Sequence, residues 1–162
     1  VLSVTQKQQK KHWNLGMVSN KSAAMTITVP EDVALKDVDI TSNVGDVDIN
    51  GIVTERFECE LDVGDMTAKN AELGESTIDA DVGDVKLDKV KAKNIDVTAD
   101  VGDIEAALVG ESDAYDISFD CGVGEATLNG ENVKKNTQIH AADAEGKIEL
   151  SADVGDIDVS IE

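Results

Sequence analysis

Aromatic residues are nearly missing from this sequence: Trp13, Phe57, Tyr115 and Phe119 make up 2% of 162 residues. Sites that stack sugars or bases, and most ordinary cores, draw on more aromatic surface. Positive charge is also scarce. Arg56 is the single arginine, and 14 Lys and Arg face 34 Asp and Glu, for a formal net charge of −20. That balance argues against nucleic acid, whose phosphates need cations, and against an anionic bilayer. Pro30 is the one proline. No apolar run reaches the roughly 18 residues that would span a membrane, and no signal peptide is visible. The chain opens on Val1, and Leu2-Ser3-Val4-Thr5 already reads as a strand. It is therefore expected to begin inside a longer protein, with any membrane anchor outside this chain. Acidity without aromatics can signal disorder. Here the Val, Ile, Leu and Ala residues recur in strict register, which disorder would not produce.

The register comes from a repeat, which decides the fold before any local propensity does. Val-Gly-Asp occurs around Gly45, Gly64, Gly83, Gly102 and Gly155, and Val-Gly-Glu occurs around Gly124. Successive glycines lie 19, 19, 19, 22 and 31 residues apart. Aligned on the glycine, five columns are apolar or small. Three residues before it stand Ser42, Leu61, Ala80, Ala99, Cys121 and Ala152. Five before stand Ile40, Cys59, Ile78, Val97, Phe119 and Leu150. Seven before stand Val38, Phe57, Ser76, Ile95, Ile117 and Ile148. Two after stand Val47, Met66, Val85, Ile104, Ala126 and Ile157, and four after stand Ile49, Ala68, Leu87, Ala106, Leu128 and Val159. The positions between them are mostly Asp, Glu, Lys, Thr or Asn.

Alternation with period two on both arms makes each arm a strand with one buried face. Inward positions are odd before the glycine and even after it, which a straight strand cannot sustain. The glycine must sit at a corner or bulge, where positive φ costs glycine least. Hairpins would not require a constant spacing. The pattern predicts an all-β, single-stranded parallel β-helix, a solenoid of about 19 residues per rung, right-handed by crossover chirality. One domain is expected over 1–162. Residues 1–30 form an incomplete N-terminal rung with a basic loop, 31–130 the regular rungs, 131–146 an excursion and 147–162 the last rung. Trp13, in the loop from Lys7 to Lys21, is expected to fold over the open end of the core.

Few residues suggest chemistry. Asp62, Asp81, Asp100 and Asp153 stand two before the glycine, with Asn43 and Gly122 as exceptions. Asp46, Asp65, Asp84, Asp103, Glu125 and Asp156 stand one after it. Laddered carboxylates about 4.8 Å apart repel, so something should offset them. One reading is a divalent cation, since calcium takes six to eight oxygens. Asp62, Asp65, Asp81, Asp84, Asp100 and Asp103 are then the metal candidates. The other is structural: Asp accepts hydrogen bonds from turn amides, and acidic ladders discourage edge-to-edge aggregation. The structural reading is preferred, with no metal or cofactor expected. Cys59 and Cys121 fall in inward columns of the second and fifth rungs. Three rung spacings, about 14 Å, are too far for a disulfide. Buried, unreactive thiols follow. His12 and His140 lie in irregular segments. No nucleophile triad, phosphate loop or paired CxxC is present. A pectate-lyase type of β-helix would need clustered basic residues in a cleft. A hexapeptide-repeat acyltransferase would need a six-residue period. Neither pattern is here, so no enzyme is expected.

The lead-in Ile27-Thr28-Val29-Pro30, the alternating strands around Val-Gly-Asp, and Phe119-Asp120-Cys121-Gly122-Val123-Gly124-Glu125 resemble the bacterial adhesin family of cell-envelope repeat proteins, a domain of unknown function. The resemblance covers roughly residues 25–162. It implies a β-helix outside the cytoplasmic membrane behind an N-terminal anchor, especially in Gram-positive bacteria, and no catalytic motif. Many members carry Ser where this chain has Val before the glycine, so each valine is expected to add a buried or half-buried methyl pair here. The function that follows is adhesin-like display or interaction with a protein or envelope component. Association through the solenoid ends is possible. A calcium-binding rod is the alternative.

Overall fold

The computed structural model describes residues 2–6, 26–30 and 33–162. Trp13, His12 and the basic loop lie outside the described residues. Strand β1 is Leu2–Gln6, β2 Ala34–Ser42, β3 Val47–Asn50 and β4 Val53–Val63. Then come β5 Met66–Lys69, β6 Glu72–Val82, β7 Val85–Val101 and β8 Ile104–Leu108. A 3-10 turn at Ser112–Ala114 leads to β9 Tyr115–Val123, β10 Ala126–Leu128, β11 Glu131–Val133 and β12 Thr137–Ile139. The last two are β13 Gly146–Val154 and β14 Ile157–Ile161. The fold is all-β, with a largely parallel sheet and a solenoid-like coil. Residues 26–30, within the expected incomplete N-terminal rung, carry no regular structure.

The pairing register shows why the sequence repeats. Val38 pairs with Phe57, Phe57 with Ser76, and Ser76 with Ile95, all in parallel strands. On the other side of the corner, Val47 pairs with Met66 and Met66 with Val85. Like residues therefore stack on like, and the apolar columns become ladders. The five expected columns are buried, except that Ile40, Val47 and Leu128 are half-buried. Ser76 is the polar intruder, held between Phe57 and Ile95, and its Oγ has no hydrogen-bond partner among the described residues.

Three successive rungs have a second corner. Gly51, Asn70 and Lys89 occupy equivalent places with φ of 70, 49 and 55°. Beyond it lie further core residues, Ala71, Leu73, Val90 and Ala92. No register pairing is found at Glu55 or Gly74, where β4 and β6 bend. There a Cβ on Gly74 would run into the Glu55 carbonyl.

The order of the rungs departs from the order of the chain. Ile95 in β7 does not pair with Ile117 in β9. It pairs with Ile148 in β13, and Ile148 pairs with Ile117. Likewise Ile104 pairs with Ile157, and Ile157 with Ala126. The segment from Gly146 to Ile161 is thus a rung inserted between its predecessors. The rung of Gly124 lies outermost, and antiparallel strands cover it. A two-residue turn at Asn129 and Gly130, φ 52 and 78°, reverses the chain so that β11 pairs with β10. Strand β12 then pairs antiparallel with β9. The expectation of parallel strands throughout Val38 to Val159 fails at these two, where the excursion forms a cap.

Candidate functional site

The Val-Gly-Asp corner is the one place where every rung presents the same outward chemistry. Its glycines have φ between 136 and 154°. They are also crowded. A Cβ on Gly83 would strike the Gly64 carbonyl oxygen, and one on Gly102 would strike that of Gly83. The column runs Gly45, Gly64, Gly83, Gly102, Gly155, Gly124, each against its neighbour's carbonyl. Glycine is required for the close approach as well as for the dihedral.

The Asp after each glycine has a structural task. The backbone N–H of Asp65 donates to Asp46 Oδ1 at 3.1 Å, and that of Asp84 donates to Asp65 Oδ1 at 2.9 Å. The same bond joins Asp103 to Asp84, Asp156 to Asp103 and Glu125 to Asp156, at 2.9, 2.8 and 2.8 Å. A carboxylate accepting a backbone N–H gains a charge-assisted bond, which offsets repulsion along the ladder. The column two before the glycine makes no such chain. At its first rung, Asn43 Nδ2 donates to Asp62 Oδ2 at 2.6 Å. At its last, Gly122 replaces Asp, and Lys135 Nζ from the cap donates to the Gly122 carbonyl at 3.0 Å. Among the described residues, no three His, Cys, Asp or Glu side chains group as a metal ion requires. Asp62, Asp65, Asp81, Asp84, Asp100 and Asp103 instead stand in two rows along the edge.

Between those rows stand the valines, which face outward. Val44, Val63, Val82, Val101, Val154 and Val123 are 57, 48, 48, 50, 49 and 67% exposed. The buried or half-buried methyl pair expected before each glycine is corrected here. Two positions separate the outward Asp from the glycine's far neighbour, so alternation must break once. The chain breaks it by turning Val to solvent and tucking Gly into the bend.

Other outward columns satisfy themselves. Arg56 Nε donates to Asp37 at 2.5 Å, Asn94 donates to Glu75 at 2.8 Å, and Lys86 meets Glu105 at 2.5 Å. Lys147 lies 2.8 Å from Glu149. No ion pair among the described residues involves a corner carboxylate. Two open clefts cross the coil, one over Arg56, Glu75, Asn94 and Lys147, the other beside Leu73, Ala92 and Tyr115. Tyr115 closes the second by donating to the Ala92 carbonyl at 3.0 Å. Burial, then Glu145, raises its hydroxyl pKa.

Cys59 and Cys121 are free and buried. Burial, reinforced by Glu60, pushes the Cys59 thiol up to about 12. Because the Gly155 rung is inserted, four spacings separate the two cysteines, about 19 Å rather than the expected 14. His140 is exposed, 3.5 Å from Asp116.

No curated protein and no solved structure matches the chain significantly. A family model described as Toastrack DUF4097, a bacterial domain of unknown function, matches residues 1–162. The match does not carry the adhesin label of the resemblance. With its corner ladders and inserted rung, this chain belongs to the Toastrack family.

Proposed function

We propose that the chain is a non-enzymatic, extracytoplasmic interaction rod of a Gram-positive bacterial cell envelope, held by an anchor outside this chain. The observation that carries this is the repetition of one exposed residue set, Asp-Val-Gly-Asp, along the edge of the four middle rungs of the stack. Catalysis concentrates different groups at one point, whereas a repeated edge suits contact with an elongated partner. Rung-by-rung stacking supplies the stiffness such a contact needs. The coil is taken as right-handed, from crossover chirality, with a rung of about nineteen residues.

Two measurements test the reading. Protease added to intact cells should cleave the domain, while a cytoplasmic marker survives. A photo-crosslinking residue placed at Val82 on the corner, at Lys86 or at Asp79 should capture a partner at one or more of these sides. Protection of the domain, or no adduct from any side, would sink the proposal.

A further inference from the structure

We infer that the valine ridge is a docking surface for a basic amphipathic protein segment: an apolar row flanked by Lys or Arg, laid along the stack. This rests on the interaction-rod reading and names the partner's chemistry.

Three observations lead there. First, the ridge is apolar and open. Each valine is exposed, from 48 to 67%, in a protein that otherwise buries its aliphatic ladders. Second, its flanks carry one sign. The row two before the glycine brings Asp62, Asp81, Asp100 and Asp153, and the row after it brings a carboxylate at every rung. On the faces the same chain places Arg56 against Asp37 and Lys86 against Glu105. At the corner it places no such counterion among the described residues. Third, side chains engage this row only at its two ends and leave the middle open. Asn43 meets Asp62 at one end. At the other, Lys135 reaches the Gly122 carbonyl from the cap, a lysine seated beside the ridge. Between them Asp81, Asp100 and Asp153 are left facing solvent without a cation among the described residues.

Spacing favours a helical segment. Rungs recur about every 4.8 Å, and six of them span about 24 Å, the length of about sixteen helical residues. One apolar side chain per helical turn recurs about every 5.4 Å. Same-face residues of a strand recur about every 6.7 Å, a poorer match. A second copy of this chain is disfavoured, because it would bring the same carboxylates.

The test uses a helical peptide of leucine and lysine with its leucines on one stripe, against the whole chain in fluorescence titration. Binding should weaken with salt and fall at least tenfold in a Val63→Ser, Val82→Ser, Val101→Ser variant. It should fall similarly in Asp81→Asn, Asp100→Asn, Asp153→Asn. It should not fall in Glu55→Gln, Glu72→Gln, Asp113→Asn, which removes equal charge away from the corner rows. A scrambled peptide of the same composition should bind at least tenfold more weakly. Should the valine variant melt early, Val82→Lys replaces it and should also repel the peptide. Equal binding of scrambled and striped peptides, or of the valine variant and the parent, overturns the ridge and leaves only the net charge. In cells, adducts from Lys86 or Asp79 with none from Val82 overturn the ridge while sparing the rod. No adduct from any side overturns both.

Discussion

Two glycines separate the effects of dihedral and crowding. Gly51 has φ 70°, and a Cβ there would meet nothing within 4 Å. Gly51→Ala should cost about 1 kcal/mol, the left-handed penalty alone. Gly83 has φ 149° and its Cβ would collide with backbone, the Gly64 carbonyl. Gly83→Ala should cost about 3 kcal/mol or more, since strain and a forced rung shift add. Urea melts of the two variants decide it, and equal losses would mean that the corner has slack. Asp96 gives a pH signature. Burial first, then Glu149 and Asp79, raise its pKa, with Lys147 opposing. The folded state then holds this proton more tightly than the unfolded chain. The resulting contribution is fully present below the ordinary Asp value of about 3.9 and is lost as pH rises through the folded value. Asp96→Asn should therefore melt higher than the parent near neutral pH, with the gap closing as pH falls through the raised folded value and gone below about 4. A gap that widens on acidification would reverse the assignment.

Within one strand, inward and outward neighbours should behave oppositely. Leu87 is 1% exposed, while Lys86 faces solvent beside Glu105. Leu87→Asp places a charge in the ladder and should cost several kcal/mol. Lys86→Asp sets two exposed carboxylates side by side and should cost about 1 kcal/mol or less. Equal melting temperatures would show the inward register to be wrong. That register was readable because each buried column repeats one kind of side chain on a two-residue period. The second corner was not readable, since Gly51, Asn70 and Lys89 share a backbone dihedral and no side-chain chemistry. The cap had a signal in Asn129-Gly130, a pair suited to two-residue hairpins. The exposed valines were misjudged because parity says that alternation breaks at the corner without saying which residue yields. The inserted rung left no mark: all six rungs carry the same columns, so each fits on any other.

At the scale of the molecule, charge and rung order govern behaviour. The Asp ladder that accepts backbone N–H groups already engages Oδ1 at five of its rungs. Cations should therefore act mainly by screening a net charge of −20. Millimolar calcium and sodium chloride at matched ionic strength should raise the melting temperature by similar, modest amounts. A calcium-specific rise at micromolar concentration, abolished by Asp84→Asn with Asp103→Asn, would promote the calcium rod instead. Removing residues 146–162 should do more than trim an end. Apart from the Tyr115 bond to the Ala92 carbonyl, the rung of Gly124 is joined to β7 and β8 through its pairing with β13 and β14, so β9 to β12 should lose protection in hydrogen exchange while β4 to β6 keep it. Loss of protection spread evenly over all rungs would contradict this.

The same insertion sets a conflict between synthesis and assembly. A ribosome releases the outer rung and its cap before the strands that belong beneath them. When Asn129 and Gly130 have turned the chain back, the surface of β8 is still bare, and the piece that fits it is still being translated. The nascent outer rung must wait undocked, or settle on β8 in the place of its successor and later be displaced. The N-terminal coils can wind as they emerge. The far end is finished like an arch, by a block set after the stones above it.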